Sequence, residues 1–256
     1  MSTLLFLGTG TSSGIPMLGC DCATCRSHDP RDTRFRTSAY VVTDRGVKLL
    51  IDAGTDFRLQ ALTHQLHWLD GILVTHSHHD HIGGIDELRQ INFLMQRHIE
   101  LYGTAFALEE IRERFSYIFK ETQKGGGKPQ LNLIEVQAFQ EFQINGQPIL
   151  PLDVRHGQIP IFGYQIGGLS YITDASYLPS ETLERIHRTP LLVINALHFQ
   201  PHSTHFNLEQ ALEMIERIQP GAAYLVHVSH RVKHADVEHT LPSNVQLAYD
   251  NLIVEF

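Results

Sequence analysis

The chain has little of what marks several large protein classes. Its 256 residues hold only three cysteines, all inside the run Cys20-Asp21-Cys22-Ala23-Thr24-Cys25. That spacing is too tight for a useful disulfide framework, so a metal clamp is the better reading of three thiols in six residues. No apolar run is long enough to cross a bilayer, and no low-complexity tract interrupts the chain. The opening residues MSTLLFLGTG carry neither the basic start nor the small-residue cleavage site of a signal peptide, so a soluble, cytoplasmic protein without membrane contact is expected. Positive charge is also scarce, since 20 Lys and Arg face 28 Asp and Glu, for a net charge of −8. Nonspecific binding to long nucleic acid is mostly phosphate neutralisation by Lys and Arg, so that partner class is disfavoured, whereas a small phosphate ester is not.

What is abundant is histidine. Of the 17 His, 11 cluster at positions 76 to 81, 198 to 205 and 227 to 239. Short apolar strands are expected at Leu4 to Leu7, Ala39 to Thr43, Lys48 to Ile51, Gly71 to Val74 and Glu100 to Tyr102. The second half repeats the scheme near Leu131 to Phe139, Ile149 to Val154, Phe162 to Ile166, Leu169 to Thr173, Leu191 to Asn195 and Ala223 to Val228. Ile85, Leu88, Ile91, Leu94 and Met95 recur at helical spacing after Gly83-Gly84. A second helix is expected from Ser180 as N-cap, and a third from Asn207, whose Gln210 completes a capping box. At this length the expectation is one domain, 1-256, of two similar β-rich halves with stacked sheets and helices outside. Lys120 to Gln130, KETQKGGGKPQ, reads as a surface loop. Five basic residues (Arg112, Arg114, Lys120, Lys124, Lys128) against Glu113 and Glu121 allow the stretch 111–128 a second reading, as a guide for an anionic substrate.

The chemistry concentrates in Thr75-His76-Ser77-His78-His79-Asp80-His81-Ile82-Gly83-Gly84, between an expected buried strand and a helix. Alternate residues of an extended turn project to one side, and Asp80 and His81 follow where the chain bends, so four ligands can serve two neighbouring metals. Imidazole suits Zn, Mn, Fe or Ni and carboxylate the harder of these. One cluster is not a whole site. Asp52, His156, Asp174 and His227 each stand close after an apolar strand and can complete it. A lone His in such a place is usually structural; the convergence with HxHxDH is what argues for metal.

From Gly8 to His230 these motifs, in this order, resemble the metallo-β-lactamase superfamily, and most closely its branch of PhnP-like phosphoribosyl cyclic phosphodiesterases and ribonuclease Z. The resemblance implies a mixed α/β fold, the four-layer αββα sandwich. It implies that His76, His78 and His156 hold one divalent metal (Zn or Mn), that Asp80, His81 and His227 hold the other, and that Asp174 bridges. Asp52 then orients the ligand loop, and His79 takes no role. The likeness is sharpest in GCDCATC and His227-Val228-Ser229-His230, which implies a structural zinc on Cys20, Cys22, Cys25 and His230. It also implies a catalytic His205 just before a helix N-terminus, which itself favours anions, and a homodimer. His198 and His202 lie nearby, and any of the three could instead be an ordinary loop residue.

The reaction so implied is hydrolysis of a small phosphodiester, cyclic, phosphoribosyl or nucleotide-like, by a metal-bridging hydroxide, with Asp80 orienting the nucleophile and His205 stabilising charge or protonating the leaving oxygen. The loop Gly8 to Gly14 can add hydroxyl or backbone donors, although it lacks the Gly-Lys-Ser/Thr ending of a phosphate-binding Walker motif. A ribonuclease Z-like endonuclease is the alternative, disfavoured because His156 and Asp174 stand only 18 positions apart, which leaves no room for a tRNA-binding arm. Thioesterases and lactonases share the fold; so do flavodiiron redox enzymes, which carry Glu at the position of His78. A protein that kept the fold and lost catalysis should have lost ligands.

Overall fold

The computed structural model describes residues 1–121 and 127–256; residues 122–126, the centre of the expected loop, with Lys124 among them, lie outside the described residues. Two seven-stranded sheets form the body of the molecule. In the first, β1 (Thr3–Gly8), β2 (Ser38–Val42) and β3 (Lys48–Ile51) pair antiparallel, and β4 (Gly71–Leu73), β5 (Ile99–Gly103) and β6 (Leu131–Glu135) continue in parallel from β3. The second repeats this plan. Its antiparallel part is β7 (Phe142–Ile144), β8 (Gln147–His156), β9 (Ile159–Ile166) and β10 (Leu169–Tyr171), followed in parallel by β11 (Leu191–Asn195), β12 (Ala222–Val226) and β13 (Val245–Leu247). The last strand, β14 (Ile253–Glu255), returns to pair with β1.

Period-two alternation sets the layers. Leu4 and Phe6 of β1 face the space between the sheets, where they join Tyr164, Tyr171, Val193 and Tyr224 of the second sheet, while Leu5 and Leu7 face the outer layer. The outer face of the first sheet is covered by α1 (Phe57–Thr63), α2 (His79–Ile82), α3 (Leu88–Met95), α4 (Ala105–Arg114) and α5 (Ser116–Phe119), and that of the second by α6 (Ser180–Ile186), α7 (Leu208–Ile218) and α8 (His234–Val237). The result is the four-layer αββα sandwich expected. None of the described helices is long and apolar enough to cross a membrane.

Several boundaries differ from expectation for local reasons. The strand from Leu131 stops at Glu135; beyond it Phe139 takes a left-handed φ of 63° and the chain restarts as β7. Ser180 is the first residue of α6 rather than its cap; Pro179 holds the cap position with φ −58° and ψ 154°, and its carbonyl accepts from Leu183 N at 3.1 Å. The capping box at Asn207 is present in both directions, at 2.8 Å and 3.0 Å.

Two bonds stitch the sheets together beneath the future site. Tyr164 Oη donates to the Val74 carbonyl (2.7 Å) and Phe162 N donates to the Thr75 carbonyl (3.0 Å). The second sheet thus holds the end of β4 and, with it, the start of the histidine run.

Candidate active site

The site lies where strands of both sheets end. Asp52 follows β3, His76 to His81 follow β4, His156 closes β8, Asp174 comes after β10 and His227 follows β12. Carboxyl ends of parallel strands are where open α/β sheets usually build sites. Asp52, Asp174 and His227 also leave their strands with φ of 61°, 56° and 56°. Each such non-glycine residue costs roughly 1 kcal/mol or more, so three in one place mark a constraint that packing alone would not impose.

Two donor groups meet here. His76, His78 and His156 offer ligand atoms within 4.8 Å of one another, as do Asp80, His81, Asp174 and His227. Asp174 stands between them. Its Oδ1 is 3.4 Å from His81 Nε2 and 3.2 Å from His227 Nδ1, whereas Oδ2 is 3.9 Å from His76 Nε2. A carboxylate so placed can bridge two ions.

The surrounding hydrogen bonds decide where the imidazole lone pairs point. Asp52 accepts from Thr75 N (2.8 Å), from Thr75 Oγ1 (2.7 Å) and from His81 Nδ1 (2.7 Å). Because the Thr75 hydroxyl donates to Asp52, it accepts from His76 Nδ1 at 3.0 Å. His156 Nδ1 donates to the Thr204 carbonyl at 2.8 Å. In His76, His81 and His156 the proton therefore sits on Nδ1, and Nε2 is free for a ligand. His76 Nε2 and His81 Nε2 are buried and hydrogen-bond to nothing among the described residues. An orphaned buried acceptor costs about 1–3 kcal/mol; a cation bound there removes that cost, so the residues present fit the group. Asp52→Asn is expected to weaken metal binding by about 10–100-fold, the usual effect of losing such a partner, measured by chelator competition. Unchanged affinity would remove Asp52 from this role.

Charge is distributed to match. Burial pushes His76, His78 and His156 below the ordinary imidazole range and His227 down to about 4, which favours the neutral, ligating form. His81 is the exception: burial opposes its charge, but Asp174, Asp80 and Asp52 outweigh it and hold the ring well above the ordinary imidazole range. Against burial, the neighbouring imidazoles in turn hold Asp174 and Asp80 below the ordinary carboxylate range, so a cation bound at Nε2 would take the place of the His81 proton.

His205 completes the cavity, of about 520 Å³, in which Ser12, His78, Asp80 and Asp174 also take part. Its Nε2 is 3.1 Å from Asp174 Oδ2, and its other nitrogen is held by Thr204 Oγ1 (2.9 Å) and His202 Nδ1 (3.2 Å). The segment is fixed because Phe206 N donates to the Ala175 carbonyl at 2.6 Å and Asn207 caps α7. His205 also forms a donor group with His156 and Asp174. Of the neighbouring histidines, His198 is buried with Nδ1 accepting from Gln200 N, and His202 does not line the cavity but bonds to Thr204 and His205, which do. His79 is exposed. In the Gly8 to Gly14 loop it is Ser12 that reaches the cavity.

Some participants were not foreseen. Thr75, which links His76 to Asp52, opens the histidine run but had no role assigned from sequence. Nor had Gly54: a Cβ there would stand 2.0 Å from the Asp80 carbonyl oxygen, so the loop after β3 cradles the ligand turn through backbone alone.

A second cluster lies apart. Cys20, Cys22 and Cys25 bring their Sγ atoms to 3.2 Å, 3.5 Å and 3.8 Å from His230 Nδ1. The Cys25 N–H, at 3.4 Å from Cys22 Sγ, draws that thiol down to about 6, whereas burial pushes Cys25 up to about 11. No disulfide joins them. Three sulfurs converging on one ring nitrogen fit a closed tetrahedral set.

The chain matches the family described as Beta-lactamase superfamily domain over residues 47–228, a span that contains Asp52, the histidine run, His156, Asp174, His205 and His227 and excludes all four residues of the cysteine cluster. It belongs to that superfamily and has the metallo-β-lactamase fold. More particularly, it is similar to a solved diphosphatase of the PhnP family, with 35% identity, coverage of 100% of this chain and 97% of the other, and a TM-score of 0.93. A zinc-bound PqqB from Methylobacterium extorquens, at 17% identity, has the same fold (TM-score 0.76, covering 99% and 100% of the two chains). An octanoyltransferase of Porphyromonas gingivalis is 39% identical over 250 residues, 97% of this chain and 50% of that one, so the chain spans about half the length of this relative.

Proposed function

We propose that the protein hydrolyses a small phosphodiester, cyclic, phosphoribosyl or nucleotide-like, at the site where the two donor groups share Asp174. The observation that carries this reading is the placement of His205 Nε2, 3.1 Å from Asp174 Oδ2, in the same cavity as both donor groups. In this reading His205 would serve as the proton donor beside the reacting phosphate. His76, His78 and His156 would hold one divalent ion, Zn or Mn, and Asp80, His81 and His227 the other, with Asp174 common to both. Such a pair, when bound, supplies an activated water and withdraws charge from phosphoryl oxygens.

The chain's own groups do the rest. Asp80 orients the attacking water by accepting its hydrogen bond, and Asp52 keeps the His81 ring in register through Nδ1. His205 Nε2 donates to the leaving oxygen, while Thr204 and His202 fix the ring. Ser12, which lines the cavity, would donate its hydroxyl to a non-bridging oxygen. A third ion, a structural zinc on Cys20, Cys22, Cys25 and His230, would tie the N-terminal loop to the end of β12.

The span between His156 and Asp174 consists of the turn after β8, β9, β10 and a short exit, which supports a small substrate over tRNA. Arg112 and Arg114 are paired with Glu109 (3.6 Å) and Glu110 (2.6 Å), so they are poorly suited to funnel a polyanion. The diphosphatase activity named for the PhnP-family relative favours a second reading, a diphosphate ester, which the same groups could attack. The octanoyltransferase name belongs to a protein about twice as long and argues less strongly for acyl chemistry.

The test is a panel on metal-analysed protein: bis(p-nitrophenyl) phosphate, a 2',3'-cyclic nucleotide, ribosyl 1,2-cyclic phosphate, a dinucleoside diphosphate, an octanoyl thioester and a lactone. Turnover of phosphate esters alone is expected. Cleavage of the thioester or lactone without any phosphate ester overturns the reading.

A further inference from the structure

Beside the catalytic cavity lies a second one, of about 140 Å³, between the start of α4 and the turn carrying His76 and His78. The two cavities share His78 and Ile159 as walls. Phe106, in the first turn of α4, lines the smaller cavity and is 56% exposed, although the neighbouring Ala107 and Leu108 are buried in the core. Ile159 and Pro160 of β9 supply further apolar lining.

The polar residues are arranged to be neutral overall. Arg114 donates to the Ser77 carbonyl (3.0 Å) and pairs with Glu110 (2.6 Å), so its charge is matched and its guanidinium is committed to holding the ligand turn. A second phosphate would find no uncommitted cation among the lining residues. The polar edge comes from the Thr104 hydroxyl, whose oxygen caps α4 by accepting from Ala107 N (3.0 Å) and whose proton remains to donate, and from the Glu110 carboxylate, one oxygen of which is held by Arg114. Apolar walls, one accessible aromatic ring, a hydrogen-bonding edge and no net charge match a neutral planar ring.

We propose that this cavity is a nucleobase subsite, in which Phe106 stacks on the base of a nucleoside whose phosphate lies among the catalytic residues on the other side of the His78 ring. The assignment rests on the phosphodiester reading above and narrows it, from phosphoribosyl or nucleotide-like esters to those that carry a base.

Equilibrium titration of the full, metal-analysed chain with 5'-AMP and with ribose 5-phosphate tests the subsite without turnover. Tighter binding of 5'-AMP by about tenfold is expected, in the range of one base stacked on an aromatic side chain. Phe106→Ala should abolish that preference and leave ribose 5-phosphate binding unchanged, and Phe106→Trp should keep it. Because Phe106 is more than half exposed, the Ala variant is expected to fold normally, which a thermal melt verifies. Equal affinities in the native protein, or an unchanged ratio in Phe106→Ala, overturn the subsite. The two readings fail separately: a preference for 5'-AMP in a protein that cleaves no phosphate ester keeps the subsite and removes the reaction.

Discussion

Asp80→Ala is expected to lower turnover of the best phosphodiester by at least about 10³-fold, the scale of losing an activated nucleophile's partner and a metal ligand together. The carboxylate is only 11% exposed and points at the shared centre, with Oδ2 3.3 Å from His81 Nε2. The fold should survive the change. The position of the turn is fixed by backbone: Ala53 N donates to the His81 carbonyl (2.8 Å), Gly84 N donates to the Ala53 carbonyl (2.8 Å), and Gly54 closes against Asp80 from beneath. None of these contacts involves the Asp80 side chain. The variant should therefore melt close to the native protein while losing activity and part of its metal, measured as kcat, melting temperature and metal per chain on one sample. Activity within tenfold of native would sink the active-site assignment.

Cys22→Ser has the second large effect, and on a different observable. The cysteine loop and His230 are more than two hundred residues apart in the chain, and a metal holding them together removes the entropy of that long loop from the unfolded state. By analogy with a covalent cross-link, losing it costs on the order of 3 kcal/mol, or about 6–12 °C in melting temperature for a chain of this size. Total metal content should fall from about three to about two ions per chain, the lost ion being zinc. Global unfolding is not expected, because the layer between the sheets contributes far more: each large buried apolar side chain there stabilises by ~1.5–3 kcal/mol, and Leu4, Phe6, Leu49 and Ile166 are only four of them. Activity should fall modestly, since Val228, next to His227, is bonded to the N-terminal loop through Thr9 and Thr11 at 3.0 Å and 3.2 Å. Native protein that holds two or fewer ions when fully loaded, or a variant with an unchanged melt, would remove the structural zinc.

The N-terminal half was the more legible. Its strands are short apolar runs between turn residues, and β3 has the boundaries that its sequence predicts. The elements that escaped are short or weakly patterned. Three-residue strands such as β7, β13 and β14 have too few positions to show alternation and exist because a neighbouring strand offers its open edge. Helix α4 was hidden for another reason. In AFALEEIRER only Ala107, Leu108 and Ile111 are buried, a narrow stripe, and Phe106 beside them faces the cavity instead of the core.

What the sequence determined by itself was chemical: a run of His and Asp that few bland explanations fit, carboxylates and imidazoles placed after apolar strands, three thiols too close together to pair, and a helix cap beside His205. These are local in the chain, and residue type with spacing suffices to see them. Which of them face one another was decided only by the tertiary structure, because the contacts are set by strand order and by turns whose partners lie far away in sequence. Asp52 reaches His81 across 29 positions and Cys20 reaches His230 across 210. The cavity at Phe106 exists because α4 and β9 meet beside the histidine turn. No single segment encodes that meeting; the packing of the two sheets produces it.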